Sequence, residues 1–377
     1  MKRWISIWVL LCVAAPTTAD LPAESVLGVA KVATPYGPHL ALIHDFAFSN
    51  LIDSKFSLVD ADSQAFLGML SAGQFATLDM SAARNELYVG ETYYSHGSRG
   101  TRADLVTVYD MSTLGVLAEI EIPTKRANSV VNKASASLTA DGRFLVVYNM
   151  NPAMSVSVVD LDKRQFVGEI PTPGCALVYA TVERGFFMLC GDGSLLAITL
   201  DEHGALKSSS HSKPFIDIDK DPLTEKSSRI GTNWYFPSYL GRVQVIAADK
   251  EVARVADTWW LTTDQERKEG WRPAGWHWSA GHPDGRLFVG MIPKGYTGSH
   301  KDPATEVWVF DVARHARVAK IALKNAAIAI EVTADATPRM LVANVEGSVD
   351  VYDANAGTYM HTIHGVGETP YMIHRIE

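Results

Sequence analysis

Apolar and polar residues alternate with period two along most of this chain, and the alternation is punctuated the same way again and again. An alternating strand ends in Asp, a polar turn follows, and a second alternating strand comes after it. The phrase reads FSLVDADSQAFLGML at 56–70, VTVYDMSTLGVLAEIEIP at 106–123 and VSVVDLDKRQFVGEIPTP at 156–173. It returns as VWVFDVARHARVAKIAL at 307–323 and VDVYDANAGTYMHTIHG at 349–365. Blurred copies at 195–208 and 243–257 bring the number to seven. A second phrase, a tight turn leading into an apolar strand, precedes several copies: LTADGRFLVVYN at 138–149, HPDGRLFVGMI at 282–292 and the weaker MSAARNELYVG at 80–90. The period is close to that of a four-stranded propeller blade. A lone twisted blade leaves both faces bare, whereas radially arranged blades bury each face against a neighbour. The pattern therefore predicts an all-β, seven-bladed propeller with four-stranded blades, formed by residues 20–377 as a single domain.

The aspartates at the end of the third strands, Asp60, Asp110, Asp160, Asp311 and Asp353, are expected to brace the following turns through Asx-type hydrogen bonds. Two stretches break the rhythm, 209–242 and 258–278. Within the second, TTDQERKEGW offers a Thr N-cap, a helical charge pattern and a stopping Gly270, which predicts a short surface helix.

The amino-terminal 19 residues follow a different pattern. Lys2 and Arg3 precede an apolar run from Trp4 to Ala15, and small residues lead to a cleavage point after about Ala19. This is the arrangement of a secretory signal peptide, too short in its apolar run to serve comfortably as a membrane anchor. Export to the periplasm is the expectation, with no membrane partner. Loss of Lys2 and Arg3 takes the formal charge from −8 to −10. An acidic chain of this kind is a poor match for nucleic acid, whose binding depends on Lys and Arg at phosphates.

Of three cysteines, Cys12 lies in the signal segment, leaving Cys175 and Cys190. The sequence between them reads as strand, short turn, strand, so the two would face each other across a hairpin, and an oxidising compartment favours their pairing. A redox-active or metal-binding pair is the competing reading. No flanking residue has ligand spacing.

Candidate chemistry is sparse. The stretch ETYYSHGSRGTRADLVTVYD, 91–110, places a polar, basic loop between two strands. Twelve histidines are scattered with no zinc-protease spacing, and no nucleophile elbow, phosphate loop or dinucleotide fingerprint occurs. His361 and His364 alternate along a strand and turn, as one exposed and one half-buried residue would. Six of nine tryptophans fall in 234–278, where packing an insertion is the favoured reading over stacking a ligand. The residues thus describe a scaffold with no catalytic residue and no metal site of its own.

Four stretches carry a family resemblance: SRGTRADLVTVYD at 98–110, FFMLCGDGSL at 186–195, LTTDQERKEGWRPAGW at 261–276 and GSHKDPATEVWVFD at 298–311. With them the chain resembles the heavy, propeller subunit of the tryptophan tryptophylquinone-dependent amine dehydrogenases, the methylamine and aromatic amine dehydrogenases. The resemblance implies an α2β2 heterotetramer with a cysteine-rich light subunit that carries the quinone. It also implies oxidative deamination of a primary amine, with electrons passed to a small copper protein or a cytochrome. With two cysteines beyond the signal segment, this chain is not the light subunit.

The resemblance matches Arg99, Arg102 and Asp104 to a family Arg-Gly-x-Arg-x-Asp pattern, which assigns them to a subunit interface or to a structural loop at a blade edge. It also implies a heavy-chain phenylalanine at the entrance to the quinone pocket. That residue is Phe48, with Phe46 as the alternative, and the competing reading of Phe48 is core packing between blades. A stand-alone propeller acting as a binding module, or a metal-dependent propeller hydrolase, are the functional alternatives.

Overall fold

The computed structural model describes residues 30–127, 129 and 132–376. The predicted signal peptide, 1–19, lies outside the described residues. Two units are distinguished, Met1–Lys31 and Val32–Glu377, and every sheet belongs to the second.

The fold is an all-β propeller. Its first sheet joins the two ends of the repeat region: the last strand, Pro370–Arg375, pairs antiparallel with Leu40–Asp45, which continues to Ser54–Asp60 and Phe66–Ala72. Ile43 faces Ile373 across that closure. Sheets built from Gln74–Ser81 to Val116–Ile122, from Ala136–Leu138 to Gln165–Pro171, from Cys175–Ala180 to Leu206–His211, and from Ser228–Ile230 to Arg254–Trp260 follow, each four-stranded.

The expectation of seven four-stranded blades is corrected here. Five four-stranded sheets stand as separate blades, and the remaining strands, from Arg272–Pro273 to Thr358–Ile363, belong to one eight-stranded sheet. The cause is a 17-residue strand, Ala316–Val332. Its first part pairs with Ala304–Asp311 and its last part with Arg339–Asn344. The segment ARVAKIALKNAAIAIEV contains neither Gly nor Pro, so nothing forces the backbone out of the extended region. The copies at 307–323 and 349–365 are therefore hydrogen-bonded into one sheet.

Apolar faces pack sheet against sheet. Phe144, Val146 and Val158 meet Phe186, Met188 and Ile198, while Trp259, Trp278, Trp308 and Phe310 fill the space between Asn233–Pro237 and Arg286–Ile292. Burial of each such side chain contributes about 1.5–3 kcal/mol. The tryptophans of the 234–278 region are thus chiefly packing residues, although Trp260 remains 41% exposed.

The five marker aspartates behave as expected. Asp60, Asp110, Asp160, Asp311 and Asp353 each accept two backbone N–H bonds from the turn that follows, at 2.8–3.3 Å. The predicted helix is present at Asp264–Lys268. Thr263 and Glu266 form a reciprocal capping box there, and Gly270 has φ +80°. Part of 209–242 is not an insertion, since Ser228–Ile230 and Asn233–Pro237 are inner strands of the sheet ending at Arg254–Trp260. Cys175 and Cys190 are directly opposed in their hairpin and are joined by a disulfide.

Candidate functional site

Residues 44–52 leave the strand Leu40–Asp45 through a turn fixed by one buried carboxylate. Asp45 accepts hydrogen bonds from the backbone N–H groups of Ala47, Glu368 and Thr369, at 2.8–2.9 Å. Gly367 packs so closely beneath it that a Cβ would lie 2.5 Å from the Asp45 side chain. This clamp ties the start of the first sheet to the segment before the last strand.

The turn places two phenylalanines in contact, one buried and one exposed. Phe46 is buried among Phe75, Tyr371 and Trp276, with ring centroids 5.4 Å from Phe75 and 5.5 Å from Tyr371. Phe48 sits edge-on against Phe46 at 4.6 Å and is 54% exposed. The core reading of Phe48 therefore fits Phe46 instead. Leu51 and Ile52 are exposed beside Phe48, and Ile52 reaches to within 3.6 Å of where a Cβ on Gly97 would stand. The aromatic turn and the polar loop, distant in sequence, thus share one edge of the protein.

The loop 95–101 joins Glu86–Tyr94 to Arg102–Asp110 in one sheet, as the sequence predicts. Its backbone is closed by Ser95 N–H to Thr101 O and His96 N–H to Arg99 O, both 3.0 Å. Gly100, at φ +99°, leaves no space for a side chain: a Cβ would lie 2.3 Å from Ser95 Oγ. Arg99 is exposed at the tip, with no ion-pair partner among the described residues. Arg102 and Asp104 are not loop residues but the first turn of pleat in the next strand.

Arg102 holds Asp104 through two 2.8 Å bonds and also donates to the carbonyl of Arg126. Asp104, wholly buried, further accepts from Thr92 Oγ1 and from Arg126 N–H. The Arg126 guanidinium is buried as well and donates to the carbonyls of Phe75 and Gln74 at 2.7 and 2.6 Å. Burial lowers its pKa from 12.5 to about 10, against the opposing influence of Asp104 and Glu91, so it stays a cation at neutral pH. Through Phe75 this network props the Phe46 cluster. Nothing in TKRANSV marked Arg126 in advance; a cation in a loop is ordinarily solvated, and only the fold buries this one.

Of groups able to hold a metal, Cys175, Cys190 and His211 come together among the described residues, but both sulfurs are committed to the disulfide. His361 is half-buried, bonding Ala61 O, and His364 is exposed. No described helix is long and apolar enough to cross a membrane.

Against this geometry, the family model for the methylamine dehydrogenase heavy chain matches residues 41–377. The chain is similar to the methylamine dehydrogenase heavy chain of Methylophilus methylotrophus, 29% identical over 94% of this chain and 87% of that one. It is also 29% identical to the heavy chain of Methylobacillus flagellatus, over 83% and 78% of the two chains. Among solved structures it resembles a dihydro-heme d1 dehydrogenase, with TM-score 0.55, 14% identity and coverage of 94% and 78%. It resembles a candidate 6-phosphogluconolactonase of Bacteroides uniformis, with TM-score 0.59, 15% identity and coverage of 90% and 99%. At such identities the structural likenesses speak to fold alone.

Proposed function

The chain belongs to the methylamine dehydrogenase heavy chain family, and from that premise we propose that it is the heavy subunit of a periplasmic amine dehydrogenase. It scaffolds a cysteine-rich light subunit in an α2β2 assembly and walls part of the substrate channel. Tryptophan tryptophylquinone on that light subunit supplies the oxidation of a primary amine to aldehyde and ammonia, with electrons leaving to a small copper protein or a cytochrome. The observation that carries the reading is the family match over 41–377.

The geometry supports a division of labour within this chain. Phe48, Leu51 and Ile52 present apolar surface at the edge, where a partner would cover it. The buried Arg102–Asp104–Arg126 network holds the neighbouring backbone still and faces inward, so its part is positioning. An aromatic ring such as Phe48 at a channel mouth excludes water and limits the width open to the amine.

The test is purification of the exported chain from its native source under mild conditions. A small cysteine-rich chain with quinone absorbance should travel with it, and amine-dependent dye reduction should follow the pair and not the isolated heavy chain. A chain that purifies alone, from cells that oxidise amines through another complex, overturns the reading in favour of a stand-alone binding module.

A further inference from the structure

The innermost residues of every sheet surround a central cavity of about 340 Å3, within the size range of small-molecule sites. Its wall is polar in an unusual way. His277 and His374 line it, are 6% and 8% exposed, and have Nε2 atoms with no hydrogen-bond partner among the described residues. Buried polar atoms ordinarily find partners. Two ammonium groups share this wall. Lys226, 6% exposed, lies 4.8 Å from the Trp278 ring and 3.2 Å from Glu225. Lys133 lies 2.5 Å from Glu331.

The charges decide the class of ligand. Lys133, Lys226, Arg229 and Arg375 line the cavity on the cationic side, and Asp79, Glu225 and Glu331 on the anionic side, an excess of one positive charge. Burial is the larger effect, and in addition Lys133, Lys226 and His44 act on His277, and Lys133, His44 and His277 act on His374, holding the imidazoles below their usual pKa. A bound anion reverses that influence and lets the rings take up protons. An amine would meet the opposite field.

We propose that the central cavity is a binding site for a small oxyanion, either a carboxylate of a few carbons or inorganic phosphate, held by Lys226 and Lys133 with His277 and His374 as hydrogen-bonding partners. The site does not rest on the subunit reading, although its wall residue His277 packs edge-on against Tyr371 at 5.8 Å, and Tyr371 in turn meets Phe48 at 5.9 Å.

Calorimetric titration of the full exported chain with sodium acetate and sodium phosphate, at ionic strength matched by sodium chloride, tests this. Saturable binding is expected for at least one of the two, and which one binds separates the carboxylate from the phosphate source. For acetate, binding should tighten from about pH 8 to about pH 6 with buffer-dependent heats that report proton uptake. Lys226→Met should weaken binding at least about tenfold, as loss of one charge-assisted hydrogen bond does. Lys133→Met provides the same reading should the first variant not fold, and Lys207→Met, at an exposed surface pair, should change nothing. Heats no larger than those of chloride for both anions, or wild-type affinity in a folded lysine variant, would overturn the proposal.

Discussion

Arg102 and Asp104 stand two residues apart on the same strand, so their side chains leave the same face, and the guanidinium grips the carboxylate through Nε to Oδ1 and Nη2 to Oδ2, each 2.8 Å. Behind them lies a second, fully buried guanidinium, Arg126. The pair is the accessible end of a network whose interior end is inaccessible to water.

This arrangement sets an order of mutational costs. Asp104→Ala leaves the Arg102 guanidinium, the Thr92 hydroxyl and the Arg126 N–H without their buried acceptor and removes a negative charge that favours the buried Arg126 cation, and removal of one partner of such a buried pair costs about 3–5 kcal/mol. Arg102→Ala removes three bonds from a partly exposed group and should cost about 1–3 kcal/mol. Arg99→Ala, at the loop tip, should stay within about 0.5 kcal/mol. Urea denaturation of the three variants checks the order, and an Arg99→Ala loss equal to that of Asp104→Ala would contradict it.

The two phenylalanines of the turn should separate cleanly. Phe46→Ala empties a packed aromatic site and should lower stability by about 3–5 kcal/mol. Phe48→Ala, from a side chain 54% exposed, should leave stability within about 1 kcal/mol. In the assembled enzyme, Phe48→Ala should also alter relative kcat/KM between small and bulky amines, by about 1–3 kcal/mol per misfit methylene-sized group. Unchanged amine preference would place the gate elsewhere.

Acid should destabilise the propeller through its buried histidines. Burial lowers the pKa of His44 from 6.5 to about 3, and it also moves His277 and His374 downward. As pH falls below about 6.5, the unfolded chain binds protons that the folded chain refuses. Stability then declines by up to about 1.4 kcal/mol per pH unit for each histidine, and for His44 the decline continues toward about pH 3. His39 runs the other way, because its bonds to Asp62 and Asp335 outweigh the opposing effect of burial and raise it. Comparing wild type with His44→Phe cancels that contribution, and the variant should show a shallower loss between about pH 6.5 and 4. Parallel curves would show that His44 is not responsible.

Thiol titration of the denatured, unreduced protein should find no free thiol at Cys175 or Cys190 once the signal segment is gone. The Cys175→Ser, Cys190→Ser double variant should lose about 3 kcal/mol, as expected for a closed loop of sequence separation 15. Two reactive thiols would contradict the bonded pair.

The sequence by itself determined the strand-rich character, the turn chemistry and the family. Period-two alternation, Asp at the strand ends and the Thr263–Glu266 box are local signals, and local hydrogen bonds execute them: the five aspartates, the helix and the Cys175–Cys190 hairpin all stand where the pattern put them. What the pattern could not give was whatever depends on which residues meet from far apart. It divided 307–323 from 349–365, but strand Ala316–Val332 carries the ladder straight through, because whether an extended segment bends is decided by its partners on both sides. It put Phe48 first with Phe46 as the alternative and left open whether Phe48 is a core residue, and only Phe75, Tyr371 and Trp276, from three other parts of the chain, bury Phe46 and leave Phe48 exposed. Arg126, His277 and His374 carried no periodic mark at all, since burial of a polar group is a property of the assembled sheets and not of its neighbours in sequence.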